Sequence, residues 1–231
     1  LPMAPRPLRA YQPTSRQQRA AMTYVPTDVV ARVEDILAGF APMPSQQAKI
    51  LNHIDDLCRV WIERSPFLVM STVDKAGRLD VSPKGDPAGF VKVLDPQTLA
   101  IPDRPGNHRF DSLRNILETG RIGLVFFVPK RNEVVRVNGA AQVVRDQPLL
   151  ERMAIKDRVP AFAILVCVEE AFYHCGKAII RSGLWAPERA ATVEGLPSYA
   201  QALLAHAKLD VPLAEMERRI RNNDENRLYD E

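Results

Sequence analysis

The segment Ile101-Pro102-Asp103-Arg104-Pro105-Gly106-Asn107-His108-Arg109 places a rigid turn and two permanent cations between an apolar strand pattern, Thr98 to Ile101, and a helical pattern, Asp111 to Glu118. Proline and glycine fix such a turn, guanidinium forks match the oxygens of an anion, and a helix start offers backbone N–H groups. The chemistry these residues could do is to grip a phosphate dianion. An ordinary strand-to-helix turn would use the same Pro-Gly-Asn, so the segment alone leaves both readings open. A second segment, Leu79-Asp80-Val81-Ser82-Pro83-Lys84-Gly85, is a short strand with a cation near its end, one hairpin earlier. Two basic segments on neighbouring strands can converge on one anion.

Other chemistry is sparse. No Ser-His-Asp, zinc or paired-carboxylate constellation stands out. His174, Cys175 and Lys177 cluster at a strand end, where His174 is a weak candidate for proton transfer beside the plainer reading of a structural histidine. Cys58, Cys167 and Cys175 are odd in number, widely spaced and outside any paired ligand motif. That pattern argues against a disulfide framework and a metal site, and points to a reducing, cytoplasmic setting. Cys58, on an apolar helical face, and Cys167, in a strand-like run, read as buried small hydrophobes.

The elements that would position these residues follow from periodicity. Thr27 can cap a helix with Val29, Val30, Val33, Ile36, Leu37 and Phe40 at helical spacing, and Ser45 opens a second amphipathic segment that stops before Ser65-Pro66. After Pro66 the texture changes to strands: 67–73, 79–83, 90–94, 98–101, 122–128, 134–144 and 163–173. Their short connections force antiparallel pairing, and the strands suffice to close a small barrel. Residues 148–156, 198–207 and 213–222 read as helical, and the charged end, Asn223 to Glu231, as frayed. The expected organisation is a disordered basic tail over 1–21 and one domain over 22–231: N-terminal helices 27–64, barrel core 65–175 and C-terminal helices 176–231.

Composition narrows the partners. The sequence pI is about 8.8, but Arg6, Arg9, Arg16 and Arg19 lie before the first acid, Asp28, and without them 27 of the 31 basic residues face 28 acidic ones. The basicity belongs to the tail. With aromatics at only 6%, a nucleic-acid groove of cations and stacking rings is not expected. The longest apolar run, Ala161 to Val168, is far short of the ~20 residues that span a bilayer, so no membrane insertion is expected.

With the strands and the turn in place, the chain resembles the FMN-binding split-barrel proteins of the pyridoxamine-phosphate oxidase class. The resemblance rests on Ser65-Pro66-Phe67, Asp80 through Asp86, Gly89-Phe90, Ile101 through Arg109 with Asp111-Ser112-Leu113-Arg114-Asn115, Leu124 through Pro129, Arg136 through Ala140, and Gly183-Leu184-Trp185-Ala186-Pro187. It implies a mainly β fold with flanking helices, an antiparallel six-stranded split β-barrel, and a homodimer with FMN at the subunit interface. Residue by residue, Ser82 and Lys84 match the strand along the flavin, and Pro102 and Asp103 the strand end beside its ribityl chain. Arg104, Asn107, His108 and Arg109 match the phosphate-binding turn, with both arginines expected at its surface. Trp185 matches an aromatic reaching the flavin from the partner subunit, although His108 as an exposed loop residue and Trp185 as core stay open.

One departure matters. The oxidases carry an Arg-x-His substrate pair shortly after the matching tryptophan, whereas this chain continues Ala186-Pro187-Glu188-Arg189-Ala190-Ala191-Thr192. The resemblance therefore implies the uncharacterised FMN-binding branch: an FMN-dependent oxidoreductase acting on a small molecule, with a nicotinamide as possible electron donor. The alternative is a flavin- or haem-binding module that stores, senses or delivers its ligand without turnover.

Overall fold

The computed structural model describes residues 24–40, 43–106 and 109–230, which fall into two compact units divided between Ala48 and Lys49. The basic tail expected over 1–21 lies outside the described residues. The first unit holds two short helices, α1 (Val33–Leu37) and α2 (Pro44–Ala48). The helix expected from Thr27 to Phe40 is thus a single turn. Its N-cap is Arg32, whose side chain makes no capping bond, and the β-branched Val29 and Val30 before it disfavour helix and stay exposed.

In the second unit, α3 (Asp56–Arg64) starts where the Asp55 carboxylate accepts from the Cys58 N–H at 2.8 Å. The helix predicted to run from Ser45 to just before Ser65-Pro66 stops where expected, at Arg64, but is broken upstream of this cap, because Leu51 exchanges backbone hydrogen bonds with Ala171 instead. Seven strands follow: β1 (Phe67–Val73), β2 (Leu79–Gly85), β3 (Lys92–Asp95), β4 (Thr98–Pro102), β5 (Arg121–Phe127), β6 (Val134–Val144) and β7 (Ala163–His174). Between them lie α4 (Asp111–Thr119) and α5 (Gln147–Glu151), and after them α6 (Lys177–Ser182), a 3₁₀ turn (Pro187–Arg189), α7 (Tyr199–Ala207) and α8 (Leu213–Asn226).

All seven strands form one antiparallel sheet in the order β2-β1-β5-β6-β7-β4-β3. This corrects the expected six-stranded split β-barrel: among the described residues there are seven strands in an open sheet, and no ladder joins the edge strands β2 and β3. Pro83, within edge strand β2, has no N–H with which to extend a ladder.

The long strands β6 and β7 bend at a register shift between Asn138 and Gly139. A Cβ on Gly139 would lie 2.0 Å from the Cys167 carbonyl oxygen, so only glycine permits this approach. One sheet face buries Leu68, Met70, Leu124, Phe126, Val135 and Val137, each at most 1% exposed. Each such side chain contributes about 1.5–3 kcal/mol by leaving water. Trp61 seats α3 on this core, donating from Nε1 to the Phe126 carbonyl at 3.3 Å and meeting Tyr173 edge-on at 5.4 Å.

Cys58 is buried as expected, and its thiol is pushed up to about 12, by burial first and by the neighbouring Asp55 second. Cys167 is not buried: it lies on the exposed side of β7, opposite Ala140 and Thr98. A strand-like apolar run does not reveal which face each residue takes where the sheet bends.

Candidate functional site

Edge strand β2 faces the end of β4, the strand next to the opposite edge, through side chains instead of a ladder. On β2 the half-buried Asp80, Ser82 and Lys84 alternate with the exposed Leu79, Val81, Pro83 and Gly85, and pair with the inward-facing Thr72, Met70 and Leu68. Across the seam, Lys84 Nζ lies 3.8 Å from Asp103 just past the end of β4. Arg104 donates from Nε to Asp86 at 2.6 Å. The seam is a cleft of about 900 Å³, and Ser82, Lys84, Pro102, Asp103, Arg104 and Arg109 all line it. Two segments 20 or so residues apart in the chain therefore converge, as their chemistry suggested.

Helix α4 closes the front of the cleft with Phe110, Ser112 and Leu113. Three hydrogen bonds place it: Asn115 donates to Thr72 Oγ1 at 3.0 Å in the core, and, half-buried, Ser112 donates to Asp80 at 2.5 Å and Thr119 to the Val73 carbonyl at 2.7 Å. Gly120, in the left-handed region at φ 63°, ends the helix and turns the chain into β5. Phe90 and Phe162 supply further apolar wall.

The cations of the cleft differ in their surroundings. Arg109 is 73% exposed and donates to Asp111 at 2.8 Å. Arg104 is not at the turn surface, contrary to expectation. Its side chain is 13% exposed, its Nε holds an Asp86 carboxylate that is 1% exposed, and its Nη2 donates to the Met153 carbonyl at 2.7 Å. Asn107 and His108 lie outside the described residues.

Sequence reasoning missed the residues that complete the cleft from far away in the chain. Tyr229 lines it, its hydroxyl donating to Asp86 at 2.7 Å and its ring lying between Arg104 and Lys156 at 5.8 and 5.9 Å. The bond to Asp86, and then burial, raise the Tyr229 phenol above its ordinary value. Arg158 also lines the cleft and donates to Asp230 at 2.8 Å. The charged C-terminus expected to fray instead folds back here. Asp86 stood in a motif singled out from the sequence, but nothing local signalled Arg158 or Tyr229.

The remaining two candidates stand apart from the cleft lining. His174 ends β7 opposite Val134. Desolvation, and then Arg136 and Lys49, hold its imidazole below the ordinary value, which favours the neutral ring. Trp185 is half-buried between α6 and the 3₁₀ turn, its indole N–H donated to the Arg131 carbonyl at 2.6 Å. Among the described residues no group of three metal-binding side chains occurs, and no helix is long and apolar enough to cross a membrane.

A single antiparallel sheet whose edge strand β2 faces the end of β4 across a cleft lined by Lys84, Arg104, Arg109 and Arg158 defines the class: a mainly β fold with a cation-bearing seam. The pyridoxamine 5'-phosphate oxidase family model matches residues 54–175, more than half of the chain, and the protein belongs to that family. Among solved structures, it is similar to HupZ of Group A Streptococcus, with 20% identity over 52% of this chain and 93% of that one and a TM-score of 0.43. It is likewise similar to a putative pyridoxamine 5'-phosphate oxidase of Lactobacillus delbrueckii (25%, 53% and 95%, TM-score 0.41) and to HutZ, a haem storage protein of Vibrio cholerae (14%, 53% and 94%, TM-score 0.39). No curated relative matches.

Proposed function

We propose that the protein binds FMN in the seam cleft and acts as an FMN-dependent oxidoreductase on a small molecule. The observation that carries this reading is the meeting of Ser82 and Lys84 of edge strand β2 with Pro102, Asp103 and Arg109 from the end of β4 and the turn after it, beside the aromatic wall of Phe90, Phe110 and Phe162. The donor set fits the cofactor. Lys84 and Arg109 suit a phosphate, Ser82 and Asp103 suit a polyol chain, and the phenyl rings suit a flat heteroaromatic. Arg104, engaged by Asp86 and Met153, holds the phosphate-binding turn in place. Bound flavin would supply reversible hydride acceptance, while this chain binds, orients and excludes water.

In this reading a second copy completes the site. Phe67, Leu79 and Val81 are 40%, 72% and 63% exposed on the outer face of β1 and β2, an apolar strip suited to a homodimer interface, and Trp185 of the second copy would approach the flavin. A nicotinamide is the expected electron donor. His174 enters only as a proton carrier at the end of β7. The free thiols of Cys58, Cys167 and Cys175 suit a cytoplasmic setting.

The test is the absorbance of the purified protein, with mass spectrometry of whatever denaturation releases. FMN retained and bleached by reduced nicotinamide supports the oxidoreductase. Haem retained in its place favours the non-catalytic module, and neither ligand bound after reconstitution sinks both.

A further inference from the structure

The segment after α8 sets a carboxylate on an arginine of the cleft wall. A bend over Arg227 to Asp230, closed by the Asp230 N–H to the Arg227 carbonyl at 3.3 Å, carries Tyr229 to the cleft wall and Asp230 to Arg158. Asp230 there accepts from Arg158 Nε at 2.8 Å, with the two side chains 40% and 62% exposed.

Arg158 is not on a loose loop. Ile155 and Arg158 exchange backbone hydrogen bonds at 3.1 and 2.8 Å, so Lys156 and Asp157 are the central residues of a two-residue turn. Both have positive φ, 48° and 62°, as a type I′ turn requires. Asn-Gly is the usual choice there, and Lys in the left-handed region is uncommon and costs free energy. The turn brings Arg158 and Asp157 to the cleft lining, and Lys156 lies over the Tyr229 ring.

We infer that Arg158 is a further anion-binding residue of this cleft, and that the Asp230 carboxylate holds its place until the phosphate of a ligand displaces it. The inference rests on the proposed reading of the cleft as a phosphate-ligand site. A carboxylate and a phosphate present the same oxygen edge to a guanidinium, and the dianion is the stronger partner. An exposed ion pair is weak enough to exchange, whereas the neighbouring Asp86–Arg104 pair is enclosed and holds the wall still. The phosphate has two possible sources, the cofactor itself or a phosphorylated substrate, and both are tested.

FMN, riboflavin and inorganic phosphate are titrated into the wild type, Asp230→Asn and Arg158→Ala. FMN bound about two- to five-fold tighter by Asp230→Asn, the size of an exposed ion pair, and several-fold weaker by Arg158→Ala, with riboflavin unchanged, identifies the flavin phosphate. Unchanged FMN affinity, with opposite shifts for inorganic phosphate on the FMN-loaded protein, identifies a substrate phosphate. If no variant binds FMN while inorganic phosphate alone shows the opposite shifts, the cofactor reading fails and the role of Arg158 stands. If neither anion's affinity moves in either variant, the inference is overturned whatever FMN does.

Discussion

Arg104 and Arg158 line one cleft and bind their carboxylates at nearly the same length, 2.6 Å to Asp86 and 2.8 Å to Asp230. Their surroundings set them apart. The first pair is 13% and 1% exposed and is tied by further hydrogen bonds to Met153 and Tyr229. The second is 62% and 40% exposed and hangs on a strained two-residue turn and the last turn of the chain. Water decides what each can do. Enclosed charges cannot part without leaving one desolvated, whereas exposed charges separate at little cost. One wall of the cleft is thereby a brace and the other an exchangeable contact, and length alone would have hidden the difference.

The largest effect tests the brace. Asp86→Ala leaves Arg104 enclosed without a counter-charge and is expected to cost about 3–5 kcal/mol of stability in a urea titration. Asp230→Ala, at the same kind of bond, should cost under about 1 kcal/mol. Equal losses would erase the comparison. Next comes the neutral part of the fixed wall: Asn115→Leu deprives the buried Thr72 hydroxyl of its partner and is expected to cost about 1–3 kcal/mol.

The strands of this fold were legible because their local patterns agree with their burial. In β1 and β5 the inward residues Leu68, Met70, Ile122, Leu124 and Phe126 alternate with half-exposed neighbours, so a period of two marks both the strand and its buried face. The convergence of the Ser82–Lys84 strand with the 102–109 turn was legible for the same reason, each being a short segment with its own chemistry. The open seam was not, since edge pairing depends on strands far apart in sequence. The cleft's far wall was less legible still. Asp86 and Tyr229 are 143 residues apart, and a charged terminus reads as solvated unless something distant receives it. Arg104 illustrates the limit: an arginine beside a Pro-Gly turn suggests a surface, and only Asp86 and the Met153 carbonyl reveal a brace.

Arg109 sharpens the comparison from the exposed side. Its guanidinium is 73% exposed beside Asp111, so Arg109→Ala should leave stability within about 0.5 kcal/mol of the wild type. In the proposed reading the same change weakens FMN about tenfold, the loss of one charge-assisted contact. Fluorescence titration and urea denaturation on the same sample separate the two. Undiminished FMN affinity would place the phosphate elsewhere. On the outer sheet face, Val81→Glu should shift sedimentation toward the monomer without unfolding it, because Val81 is exposed in the single chain.

Tyr229 stands between the two regimes, its hydroxyl on the enclosed Asp86 and its backbone on the exposed last turn. It yields the smallest expected effect, a dependence on pH. Hydrogen bonding to Asp86, then burial, raise the phenol above its ordinary value of 10.0, so the folded protein keeps this proton at a pH where the unfolded chain releases it. The contribution of Tyr229 is therefore fully present below the ordinary value and declines as pH rises through and beyond it. The tyrosinate absorbance of the wild type minus that of Tyr229→Phe should show one late-titrating group, and Asp86→Asn should move it back down. The stability gap between wild type and Tyr229→Phe should hold steady below the ordinary value of 10.0 and narrow as pH rises beyond it. Tyr173, also raised by burial, titrates late in both proteins and cancels in the difference; a difference without a late step would mean that the last turn does not rest on the brace.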